Sequence, residues 1–217
     1  MPTPTIGSRS KAEASSTRPV REHFHAGLDY QDKLARFLEN HDEPRAAASF
    51  PAGACAAAAV VTFLSPGLRF FHQGQFEGRL KRISPHLCRA PDEEVNQRLE
   101  RFYERLLEVL RRPTVREGHW RLLECVPAWA GNGSSDAFIA SGWEHSDGTR
   151  LLAVVNYADH YSQCYVRLPD VKDGKWWLRD LMGEARYERM GEELRSRGLY
   201  LDIGDWQYHV FEMKAAA

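Results

Sequence analysis

The most regular pattern of apolar positions lies near the middle of the chain. Val95, Leu99, Phe102, Leu106 and Leu110 recur at intervals of four, three, four and four. That spacing lays one apolar stripe along a helix with Glu and Arg opposite, and predicts a helix over 93–112. Arg111 and Arg112 suit the negative end of its dipole, and Pro113 predicts its stop. Upstream, LARFL at 34–38 and LRFFH at 68–72 are short apolar runs of strand length. Between them, Pro44 suits the first turn of a helix. The Ala-rich stretch 52–64 is a strong helix former that Ser65-Pro66-Gly67 would end. Strand, helix, strand and helix in alternation predict parallel strands with right-handed crossovers.

Beyond residue 115 the pattern changes. Runs near 119–127, 137–144, 151–157, 162–168, 175–181, 198–203 and 206–213 are short and rich in aromatic and β-branched residues. Turn signals such as Gly131-Asn132-Gly133, Asp147-Gly148 and Asp173-Gly174 separate them. This predicts an antiparallel β-sandwich. The polar stretch 184–196 reads as a loop, or as a helical turn at 190–195. Three parts are therefore expected. Residues 1–20, rich in Ser, Thr, Pro and Arg, form a disordered segment; 21–115 form an α/β portion; 116–217 form an all-β domain.

Composition narrows the class. The 217 residues are 43% hydrophobic and 27% charged, ordinary values for a globular protein. A formal net charge of −1 gives no electrostatic case for nucleic acid or an anionic membrane. The longest small-apolar run, ACAAAAVVTFL at 54–64, is too short to span a bilayer, and no signal peptide is expected. Cys55, Cys88, Cys125 and Cys164 are far apart with no CxxC pair. They read as reduced thiols of a cytoplasmic protein, with no metal site and no cofactor expected.

The polar clusters sit where the two predicted α/β strands end. FLENHDEPR at 37–45 places Asn40, His41 and Asp42 immediately after a strand, where catalytic groups collect in parallel α/β folds. A carboxylate there can hold sugar hydroxyls or a developing oxocarbenium charge, and an imidazole can donate to a hydroxyl. Asp42 or Glu43 capping a helix fits the same local pattern. His72-Gln73-Gly74-Gln75-Phe76-Glu77-Gly78 follows the second strand, and its polar groups fit either a cleft lining or an ordinary loop. Arg79, Lys81, Arg82 and Arg89 read as a solvated loop. Trp129, Trp143, Trp176 and Trp177 fit core packing or sugar stacking.

In this order the pieces resemble the alpha-amylase superfamily, glycoside hydrolase family 13. FLENHDEPR resembles the family's last conserved motif, an Asn-His-Asp trio at the end of barrel strand seven. LRFFHQGQFEG resembles the strand-eight region, with one residue inserted at Gln75-Phe76-Glu77. The resemblance covers roughly 28–214. It implies a partial (β/α)8 TIM barrel, strands seven and eight with their helices, followed by the small β-domain. It further implies an alpha-glucan or oligosaccharide substrate. Asp42 would be the stabilising carboxylate, with Asn40, His41 and Arg45 contacting or positioning substrate. The family's nucleophile, in a Gly-x-Arg-x-Asp pattern, and its general acid Glu have no counterpart before residue 37. The chain as given is expected to be inactive alone. Three readings follow: a truncated glycosidase, one chain of a split enzyme completed by a separately encoded N-terminal barrel portion, or a non-catalytic carbohydrate-binding or structural module.

Overall fold

The computed structural model describes residues 17–84, 86–87 and 89–216. Residues 1–16 of the segment expected to be disordered lie outside that range. Residues 18–20 are not disordered: they open helix α1 (Arg18–Phe24), with Pro19 in its first turn. The reason is an anchor that composition does not reveal. Phe24 is buried, its ring 5.5 Å from that of Trp120. The Arg36 guanidinium lies 5.6 Å over the same Phe24 ring and donates to the Pro66 carbonyl at 2.8 Å.

Helix α2 (Leu28–Gln31) leads into strand β1 (Ala35–Arg36), which pairs in parallel with β2 (Leu68–Arg69). Both strands are shorter than their apolar runs. The amides of Leu68 and Phe70 donate to the carbonyls of Leu34 and Arg36, and no third strand joins this sheet among the described residues. No barrel is closed there. Gly67 (φ 111°) sets the approach of β2, since a Cβ at this position would sit 2.4 Å from the Leu34 carbonyl oxygen.

The crossover holds two helices rather than one. Helix α3 (Ala46–Ser49) begins two residues after Pro44, and Phe50 is extended because Pro51 follows it. Helix α4 (Ala54–Phe63) comes next, with Ala57, Ala59, Val60 and Phe63 fully buried. Helix α5 (Gln97–Leu110) carries the apolar stripe inward, but Asn96 caps it by accepting from the Leu99 amide at 3.1 Å. Val95 is therefore outside the helix and exposed. Pro113 ends nothing further: it starts the short helix α6 (Pro113–Arg116). No helix among the described residues is long and apolar enough to cross a membrane.

The remaining strands are β3 (His119–Leu123), β4 (Cys125–Pro127), β5 (Phe138–Glu144), β6 (Arg150–Asn156), β7 (Ser162–Val166), β8 (Lys175–Asp180), β9 (Arg186–Met190), β10 (Leu199–Ile203) and β11 (Tyr208–Ala215), with helix α7 (Gly191–Ser196) after β9. They form two antiparallel sheets, ordered β3-β5-β6-β11-β8-β9 and β10-β7-β4. The unforeseen strand β9 is polar because it is an edge paired only with β8.

The larger sheet is buried on both faces, and the two-residue alternation of its side chains explains how. Leu152 and Val154 of β6 join a cluster with Cys164, Val166, Leu199 and Leu201 of the smaller sheet. Leu151, Ala153 and Val155 point the other way, into a cluster with α4 and α5. One core therefore holds residues from both sides of position 115. Trp143 and Trp176 are core residues, whereas Trp129 and Trp177 are exposed.

Trp143 also makes a polar tie across that core. Its indole N–H donates at 2.7 Å to the Leu64 carbonyl, one of the groups left free at the end of α4. Trp143→Phe keeps the apolar ring and leaves that buried carbonyl unmet. Urea unfolding is expected to show a loss of about 1–3 kcal/mol. The exposed Trp177→Phe should stay within about 0.5 kcal/mol.

Candidate functional site

Parallel pairing of β1 and β2 makes their following loops leave the same end of the sheet. This is what brings 39–45 against 72–75. The residue that joins them is Arg45, which is only 2% exposed. Its Nη1 donates to Glu39 Oε1 at 2.7 Å and to the Gln73 carbonyl at 2.7 Å, and its Nε donates to the Lys81 carbonyl at 3.2 Å. His72 Nδ1 lies 2.9 Å from Nη1. The same ring nitrogen is 3.5 Å from Glu39 Oε1, so His72 sits against both members of the pair.

Glu39, 1% exposed, has both oxygens engaged. Oε1 meets Arg45, while Oε2 accepts from the Ala46 amide at 2.7 Å, at the start of α3. The helix-starting role that local pattern assigned to Asp42 or Glu43 therefore falls to Glu39. Beneath the pair, Gln75 donates to the Tyr103 hydroxyl at 2.9 Å and accepts from the His72 amide at 3.2 Å. Burial, with Glu39 nearby, pushes the Cys55 thiol up to about 12, and burial also pushes Tyr103 above the ordinary phenol range.

The expected trio stands on this base. Asn40 Oδ1 accepts from the amides of Asp42 and Glu43 at 2.8 and 2.9 Å, folding the loop into an Asx turn. The turn puts the His41 and Asp42 side chains into solvent, 64% and 73% exposed, with His41 Nε2 3.3 Å from Asp42 Oδ2. Arg82 Nε reaches the His41 carbonyl at 3.3 Å. Of the four residues singled out from sequence, His41 and Asp42 face outward, Asn40 shapes the turn, and Arg45 points inward as a clamp. The loop can thus present a carboxylate and an imidazole together to hydroxyl groups. Glu39 was not singled out, and His72 and Gln75 were read only as members of a cluster that fits a cleft lining or an ordinary loop. The signal for Glu39 was a carboxylate at the end of an apolar strand, a position that requires a counter-charge.

Two outcomes follow from this burial. Arg45→Met strands the Glu39 carboxylate and is expected to cost about 3–5 kcal/mol in urea unfolding. Adding Glu39→Gln should recover part of that loss, a coupling that a double-mutant cycle reads directly. Separately, Cys55 should resist iodoacetamide at about pH 8 in the folded chain and react once urea unfolds it. Modification in the folded state at the rate of an exposed thiol would contradict the buried setting described.

No protein-family model matches the sequence, and no curated protein matches it. Solved structures do match. The alpha-amylase of Geobacillus thermoleovorans, solved with acarbose, is similar at TM-score 0.71 and 15% identity over 93% of this chain and 44% of that one. A maltogenic alpha-amylase of Thermotoga neapolitana is similar at TM-score 0.67 and 16% identity, over 91% and 46%. The trehalose-6-phosphate hydrolase of Bacillus licheniformis gives 0.58 and 11%, over 91% and 46%. The chain spans less than half the length of these enzymes. At such identities the likeness is one of fold, and the fold of this chain is that of part of an alpha-amylase.

Proposed function

We propose that this chain is the C-terminal part of an alpha-amylase-type glycosidase acting on alpha-glucosidic bonds of glucans or oligosaccharides. In this reading residues 21–115 are the last two βα units of the barrel and 116–217 the trailing β-sandwich domain. Asp42 holds sugar hydroxyls, His41 donates to the same ring, and Asn40 and Arg45 fix the loop that presents them. The observation that carries the reading is the exposed Asp42–His41 pair, built on a buried ion pair at the end of parallel strands. The similarity to an amylase solved with acarbose supports the substrate class.

In this reading the nucleophile and general acid of this chemistry, and the remainder of the barrel, lie outside these 217 residues. In support, the β1–β2 sheet has both outer edges open among the described residues, and Leu68 and Phe70 beside it are 70% and 40% exposed. Such edges invite pairing. A separately encoded barrel portion would fill that role. The free thiols of Cys55, Cys125 and Cys164 fit the cytoplasm.

The test has two arms. The purified chain should release no sugar from starch, glycogen, maltodextrin or trehalose. It should bind acarbose in a calorimeter, with Asp42→Asn weakening binding about tenfold through loss of charge-assisted hydrogen bonds. Turnover abolished by Asp42→Asn would overturn the reading that the cleaving pair lies outside these residues. Binding indifferent to Asp42→Asn would remove the trio from the site and favour a carbohydrate-binding module.

A further inference from the structure

A cleft of about 220 Å³ opens between α5 and the turn joining β8 to β9. Arg105 and Arg112 line it from the helix, and Arg179 and Arg186 line it from the hairpin. Arg179 and Arg186 are direct cross-strand partners. Like charges placed opposite one another weaken strand pairing. The sequence nevertheless puts them there, at the mouth of a cleft with two more arginines.

The counter-charges available do not resolve this. Glu212 of β11 lies directly opposite Arg179 on its other side, but it is engaged with Arg112 at 2.6 Å and with Lys214 at 3.4 Å and makes no ion pair with Arg179. Arg105 donates at 3.0 Å to the Met182 carbonyl. Asp180 lines the cleft, but its oxygens are spent elsewhere. Oδ1 accepts from the amides of Met182 and Val210 at 3.0 and 3.1 Å, and Oδ2 holds His209 Nδ1 at 2.7 Å. Glu108 and Glu184 are the remaining carboxylates, and neither makes an ion pair with these arginines among the described residues. Arg105, Arg179 and Arg186 thus make no ion pair among the described residues, and Arg179 and Arg186, both exposed, stand side by side across the hairpin. Gly183 keeps the turn tight: a Cβ there would lie 2.9 Å from Asp180 Oδ2.

We propose that this cleft is a binding site for a phosphate-type oxyanion, either inorganic phosphate or the phosphoryl group of a sugar phosphate, gripped between Arg179 and Arg186. A tetrahedral dianion neutralises both guanidinium groups at once and accepts from each through charge-assisted hydrogen bonds. The site lies on the α5–hairpin seam and is independent of the glucan reading.

The experiment titrates the full chain with inorganic phosphate at constant ionic strength, by calorimetry and thermal unfolding. Sulfate, glucose 6-phosphate and glucose are run alongside. Saturable one-to-one binding and a rise in Tm are expected. Arg179→Gln and Arg186→Gln should each weaken binding about tenfold, the loss of one charge-assisted contact. In chloride alone either variant should unfold no lower than the parent, because each relieves the facing charge. That readout separates a site from a merely structural pair. Glucose 6-phosphate binding more tightly than phosphate, with glucose inert, supports a sugar phosphate as the natural source. Equal binding supports free phosphate. The proposal fails if no saturable binding occurs. It fails equally if sulfate and phosphate raise Tm identically in parent and variants, as expected for exclusion of such ions from the whole surface.

Discussion

A guanidinium withdrawn from water must be met by acceptors, and in this chain Arg45 finds the buried carboxylate of Glu39. Each alone would carry a desolvation cost of several kcal/mol, so each fixes where the other can be. The pair does more than neutralise itself. Arg45 also binds the Gln73 carbonyl and His72, which follow β2, whereas Glu39 follows β1 and meets the first amide of α3. One ion pair therefore locks three segments at the same end of a two-stranded sheet. The strands themselves contribute few hydrogen bonds. The loops hold the sheet together at least as much as the sheet holds the loops.

That clamp could not position anything if the ground beneath it moved. Its floor is α4 and α5, and these are held against the larger antiparallel sheet. Because β6 buries Leu151, Ala153 and Val155 on the helix side and Leu152 and Val154 on the other, its apolar run serves two cores. The helices thereby become one outer layer of the β-rich part. The Trp143–Leu64 hydrogen bond pins the end of α4 just before the chain enters β2. Displacing α4 would shift both Cys55 under the clamp and the Gly67 approach that sets the parallel register.

What was legible in the sequence is what local periodicity governs. The stripe on α5 is read from Leu99, Phe102, Leu106 and Leu110 on one face, the last three of them buried, and its start shifts only because the Asn96 side chain caps it. The β6 run was readable as a strand, since five apolar residues in a row suit burial on two faces. What was not legible depends on partners far along the chain. Helix α1 looks like part of a polar tail until Phe24 meets Trp120. Strand β9, Arg-Tyr-Glu-Arg-Met, has no apolar alternation because an edge needs none. At the site, the Asn-His-Asp trio was visible as a motif, but its support was not. Arg45 was placed with the ligand contacts, and only the parallel pairing of β1 and β2 reveals that its partners face inward.

The same burial settles a chemical question about the loop. Retaining cleavage of a glycosidic bond uses two carboxyl groups roughly 5–5.5 Å apart, one attacking and one exchanging a proton. Asp42 is exposed and free to meet a sugar. Its nearest buried neighbour in sequence with a carboxylate is Glu39, the natural candidate for a second member of such a pair. Its oxygens are already committed, one to a guanidinium at 2.7 Å and one to a backbone amide at 2.7 Å. A nucleophile needs a free lone pair aimed at the sugar, and a general acid must reach the leaving oxygen, neither of which a buried carboxylate with both oxygens engaged offers. Glu39 can be neither. It is the residue that fixes the loop from which Asp42 is presented to solvent.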